Sequence, residues 1–86
     1  MTQFCMAVVE VIDLPRAQRA EIEALIFATL ETAPPVEPQG NWFIRWERGS
    51  IPGTTSCREL FTAETTEAAQ LERKLANIRQ AQLRIA

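Results

Sequence analysis

The sequence predicts an α+β fold: a single domain spanning residues 1–86, built as a two-layer β-α-β-β-α sandwich with a three-stranded sheet and two helices on one face. Three observations carry this. An apolar, β-branched run, QFCMAVVEVI, occupies residues 3–12. Two later segments repeat apolar residues at spacings of three and four. Between those segments lie two short alternating stretches joined by a loop rich in Gly and Pro.

Residues 3–12 read as the first strand. Both of its faces are largely apolar, with Cys5, Ala7, Val9 and Val11 on one and Phe4, Met6, Val8 and Ile12 on the other. Such strands are usually central in a sheet or covered on both sides. Asp13 is placed to cap a helix and Pro15 to sit in its first turn. Ile22, Leu25, Ile26, Thr29, Leu30 and Ala33 then form a helical stripe, with Phe27 off it, and Pro34 and Pro35 stop the helix, giving bounds near 15–32.

A stiff connector, PPVEPQG, leads into NWFIRWERG at residues 41–49. Alternation there puts Trp42, Ile44 and Trp46 on an inner face and Phe43, Arg45 and Glu47 on an outer one. GSIPGTTS, residues 49–56, reads as a long hairpin loop, and CRELFT, residues 57–62, as the returning strand. Thr65 or Thr66 is expected to cap a last helix with Glu67 in its first turn and Arg79 and Arg84 toward its end. Its stripe is Ala68, Leu71, Leu75, Ile78, Gln82 and Ile85. This order matches a ferredoxin-like β-α-β-β-α-β arrangement lacking its last strand, which would leave the first strand as a free edge. A plain 1-2-3 strand order is the alternative.

Composition excludes several function classes. The net charge is −2, which argues against general affinity for nucleic acid or anionic membranes. The charge is unevenly spread: residues 1–40 carry −4 and residues 41–86 carry +2, and six of the seven bases in the second half are arginines. No stretch approaches the ~20 apolar residues that span a bilayer, and the first residues lack the basic lead of a targeting signal. A cytoplasmic location is the expectation. Two cysteines, Cys5 and Cys57, are too few for a disulfide scaffold; neighbouring first and third strands could bring them face to face.

The chain has no histidine. Without one, the Ser-His-Asp and Cys-His nucleophile systems and most zinc ligand sets are out of reach. Glu21 with Glu23 and Glu64 with Glu67 are the closest acid pairs, and neither spacing converges two carboxyls in a cleft. The 49–56 loop lacks the Lys and the following helix that a phosphate-binding loop needs. No catalytic residue, metal ligand or cofactor is therefore assigned.

The expected function is a non-enzymatic protein-binding module, an adaptor or inhibitor that occludes one larger protein. Phage and mobile elements direct small proteins of this kind, the anti-CRISPR type among them, against host defence. Phe43, Arg45, Glu47, Arg48 and Arg58 are the expected partner-binding residues, with Leu60 beside them, because aromatic and arginine side chains are the usual anchors. The alternative is a nucleic-acid-binding or regulatory protein using Arg45, Arg48 and Arg58 with the basic end of the last helix. Self-association through strand 3–12 or the last helix is compatible with either.

Overall fold

A computed structural model describes residues 3–30 and 44–85. The fold is α+β, in the order β1 (Phe4–Pro15), α1 (Arg19–Thr29), β2 (Glu47–Arg48), β3 (Thr54–Glu64), α2 (Thr65–Leu75) and β4 (Ala81–Ile85), with a 3₁₀ turn at Arg16–Gln18 leading into α1. Among the described residues the sheet has four strands, not the expected three, in the order β2-β3-β1-β4 with every neighbouring pair antiparallel.

The fourth strand corrects the reading of the last helix. That helix ends at Leu75, and the chain turns through Ala76–Gln80 before returning along β1. Ala81, Leu83 and Ile85 alternate with Gln82 and Arg84, a period of two. Pairing Val11 with Ala81 and Val9 with Leu83 buries both partners. A helix through the same residues would have left Leu83 off the apolar stripe. The free edge expected on β1 is therefore covered, and β1 is a central strand.

β1 is also longer than its apolar run. Its register against β3 slips between Val11, which faces Cys57, and Leu14, which faces Thr55: three steps on β1 match two on β3. This is a β-bulge, and Asp13 inside it has a φ of 53°, a left-handed conformation that Asp tolerates better than most residues. The extra residue reverses the alternation, so that even-numbered Leu14 joins odd-numbered Ala7, Val9 and Val11 in the core. Asp13 and Pro15 thus belong to β1 rather than to the start of α1.

Elsewhere the apolar stripes hold. Ile22, Ile26, Thr29 and Leu30 are buried on α1 and its end, as are Ala68, Leu71 and Leu75 on α2. They form one core cluster with the odd-numbered face of the sheet, and Phe27, off the stripe, packs against its margin. Lys74 Nζ donates to Thr29 Oγ1 at 3.0 Å, tying the two helices together. Thr65 does not cap α2. Its backbone N–H and its hydroxyl both donate to the carbonyl of Gln3, so it joins the helix start to the beginning of β1. Glu67 does lie in the first turn, but Arg73 and Lys74, not Arg79 and Arg84, occupy the last.

The hairpin between β2 and β3 is tighter than its composition suggested, because Thr54, Thr55 and Ser56 belong to β3. Ile51-Pro52-Gly53-Thr54 forms a turn closed by Thr54 N–H donating to the Ile51 carbonyl at 3.1 Å. Pro52 in second place and Gly53 with φ of 82° in third are what a type II turn requires. Gly49 is needed for a different reason: a Cβ there would collide with Thr54 Oγ1 and Asp13 Oδ1. The Asp13 carboxylate latches this hairpin to the bulge, accepting from Ser50 N–H at 2.7 Å and from Ser50 Oγ at 2.6 Å. Ser56 Oγ accepts from Asp13 N–H at 3.0 Å.

Candidate partner-binding surface

With the helices on the odd-numbered face, no helix among the described residues covers the even-numbered face of the sheet, called the open face below. Cross-strand rows can be read from the registers: Met6 beside Thr62, Val8 between Leu60 and Arg84, and Glu10 between Arg58 and Gln82. Glu47 lies on this same face, opposite Ser56 at the β2 rim. The central row is polar and self-paired. Arg58 Nε lies 3.9 Å from Glu10 Oε2, and Gln82 Nε2 donates to Glu10 Oε1 at 3.1 Å. At that distance, with the arginine well exposed, the ion pair orients side chains more than it stabilises the fold.

Of the expected binding residues, Arg45, Glu47 and Arg58 come together with Glu59 around a shallow groove of about 290 Å³ at the β2 rim. Glu59 holds the approach to β2 in place, because its Oε1 accepts from the Arg45 N–H at 3.0 Å. Arg48 separates from the others. It pairs with Thr55 on the helix-side face and lines a different hollow with Arg16 and the hairpin turn. Phe43, like Trp42, lies outside the described residues. Ile44 is buried, and Trp46 packs half-buried against the core, as the alternation predicted for the inner face. The Trp46 Nε1 atom is buried without a hydrogen-bond partner among the described residues.

The two cysteines lie far apart in the sheet. Both lie on the core face, but Cys5 is opposite Ala63 and Cys57 opposite Val11. Six residues along neighbouring strands separate them by ~20 Å, so they do not face each other as neighbouring strands had suggested. Burial, aided by the charge of Glu59, pushes the Cys57 thiol up to about 12. A thiol so disposed is protonated at neutral pH and a poor nucleophile.

Among the described residues no group of His, Cys, Asp or Glu is arranged to hold a metal ion, and no helix is long and apolar enough to cross a membrane. The sequence reading that both faces of β1 are largely apolar holds, but it assigned no partner-binding residue to β1. Phe4, Met6, Ile12 and Leu60 are all exposed on the open face. Compared with protein-family models, with curated proteins and with solved structures, the chain matches none.

Proposed function

We propose that this chain forms a ferredoxin-like β-α-β-β-α-β arrangement serving as a non-enzymatic protein-binding module, an adaptor or inhibitor that covers part of one larger protein. Phage or mobile-element inhibitors of host defence are the functional class it fits. The supporting observation is the groove at the β2 rim. Arg45 and Arg58 there alternate with Glu47 and Glu59, next to exposed Leu60. A mixed-charge rim beside an apolar residue gives a partner both orientation and contact area, and arginines supply planar, directional pairing. Occlusion needs no chemistry from the binder, only a rigid surface held in register, and the β1–β3 ladder with the Glu59 clasp provides one.

The nucleic-acid reading draws less support. Its three arginines are divided between two faces, and Glu10, Glu47 and Glu59 stand among those that remain together. Phosphate binding calls for clustered positive charge.

The test is affinity capture with the tagged chain from a lysate of the source cell, with nuclease, at two salt concentrations. One larger protein should be retained and lost when Arg45→Glu and Arg58→Glu are introduced together. A partner retained equally by the double variant would remove the groove from the reading. Bound nucleic acid released by salt would replace it with the regulatory alternative.

A further inference from the structure

An antiparallel sheet covered on one side normally turns polar residues to the other. β1 does not: of Phe4, Met6, Val8, Glu10 and Ile12, only Glu10 is polar. Among the described residues six large apolar side chains are exposed. Four of them, Phe4 (55%), Met6 (41%), Ile12 (57%) and Leu60 (57%), stand on the open face, and a fifth, Ile51, lines the same hollow as Ile12. We infer that this face is covered by a second copy of the chain, in a two-fold symmetric dimer that packs sheet against sheet.

Self-complementarity of the face selects that occupant. Its apolar residues are grouped at both ends, Phe4 and Met6 at one and Ile12 with Ile51 at the other, with the Arg58–Glu10–Gln82 row between. A two-fold axis in the interface plane, crossing β1 at Val9, exchanges those ends. Met6 of one copy then lies over Ile12 of the other, and the Val8 row lies over the Glu10 row. That register carries Arg84 toward the Gln82–Glu10 pair of the other copy and lays Leu60 along the alkyl stem of Arg58, so the middle rows meet through one charge contact and one apolar contact. Acids and bases are mixed across the face, so it offers no single-sign field to attract an oppositely charged partner.

The area is sufficient for a modest dimer. The strands hold 12, 2, 11 and 5 residues. At ~3.3 Å per residue and ~4.8 Å between strands they cover about 500 Å² in projection. Side-chain relief raises this toward the ~600 Å² per partner at the lower end of specific interfaces. The same axis sets β3 over β3 and leaves both Arg45–Glu47 rims along one side of the assembly. A dimer would thus present two partner grooves together, although the dimer itself does not depend on the partner reading.

The experiment is sedimentation equilibrium on the purified chain alone, without partner. The wild-type chain should approach twice its chain mass with rising concentration. Leu60→Lys and Met6→Lys, each at an exposed position, should raise the dissociation constant by at least about tenfold, with unchanged circular dichroism. Arg84→Glu should also weaken the dimer, Arg84→Lys should hold it within about twofold, and Arg45→Glu should leave it intact. A chain that stays monomeric at every concentration overturns the inference. So does a dimer that both Leu60→Lys and Met6→Lys leave unchanged. Neither result bears on the groove, whose own test is capture of a partner.

Discussion

The segment after α2 offers a sharp test, because a strand and a helix bury different residues of the same stretch. In β4, Leu83 is 5% exposed and packs opposite Val9, whereas Ile85 is 52% exposed. Leu83→Ala removes three carbons from the core, worth about 2.4 kcal/mol at ~0.8 kcal/mol each, and incomplete collapse of the cavity brings the cost to roughly 2.5–4 kcal/mol. Ile85→Ala removes the same number from a half-exposed site and should cost only about 1 kcal/mol. For a domain this size the urea m-value is near ~1 kcal/mol/M. Leu83→Ala should therefore lower the urea midpoint by about 2.5–4 M and Ile85→Ala by about 1 M, read by tryptophan fluorescence and circular dichroism together. A helix continuing α2 would place Ile85 on the buried stripe and Leu83 off it. An Ile85→Ala loss larger than that of Leu83→Ala would refute the β4 assignment and with it the sheet order.

Four further outcomes concern the hairpin and the thiols. Gly49→Ala should destabilise by about 1–3 kcal/mol through overpacking against Thr54 and Asp13. Gly53→Ala meets no atom but forces an L residue to positive φ, costing about 1–2 kcal/mol in thermal or urea denaturation. The Ser50 hydrogen bonds hold the Asp13 carboxyl below its ordinary 3.8. A carboxyl depressed in the folded state contributes stability above that value and loses it as pH falls through the folded pKa. Ser50→Ala should consequently shrink the loss of stability below about pH 4, and an unchanged acid limb would show that the latch does not matter. Under native conditions iodoacetamide should label half-buried Cys5 well before Cys57, and mild oxidation should give no Cys5–Cys57 disulfide by intact mass.

The helix stripes were legible because 3.6-residue periodicity reports burial directly, and Ile22, Ile26, Leu71 and Leu75 lie where it put them. The 78–85 stretch misled because Ile78, Gln82 and Ile85 continue a spacing of three and four, while the competing alternation of Ala81, Leu83 and Ile85 spans only five residues. The bulge was illegible for another reason. One extra residue changes the face of everything after it, and nothing in VIDLP announces the slip except that Asp tolerates positive φ. Of the candidate site, alternation correctly set Arg45 and Glu47 apart from Ile44 and Trp46. It could not show that Arg48 and Arg58 fall on opposite faces, since that depends on the pairing of Arg48 with Thr55. The hydroxyls of Ser50, Thr55 and Ser56 in the 49–56 stretch have partners within the fold. They are engaged by Asp13, by the Glu47 carbonyl and by the bulge, respectively.

The position of β1 between β3 and β4 has a consequence for synthesis. On one side its partners run from Thr54 to Glu64, and on the other they run from Ala81 to Ile85. As the chain emerges from a ribosome, the most apolar strand appears first and finds neither neighbour until some fifty further residues have followed. Closing loops of this length precedes any reward from pairing, which slows folding relative to helical bundles of equal size. During that interval Phe4, Met6, Val8 and Ile12 are a nascent segment with high aggregation tendency, interrupted only by Glu10. That one carboxylate, placed mid-run, is a gatekeeper for the unfinished chain as well as a partner for Arg58 in the finished one.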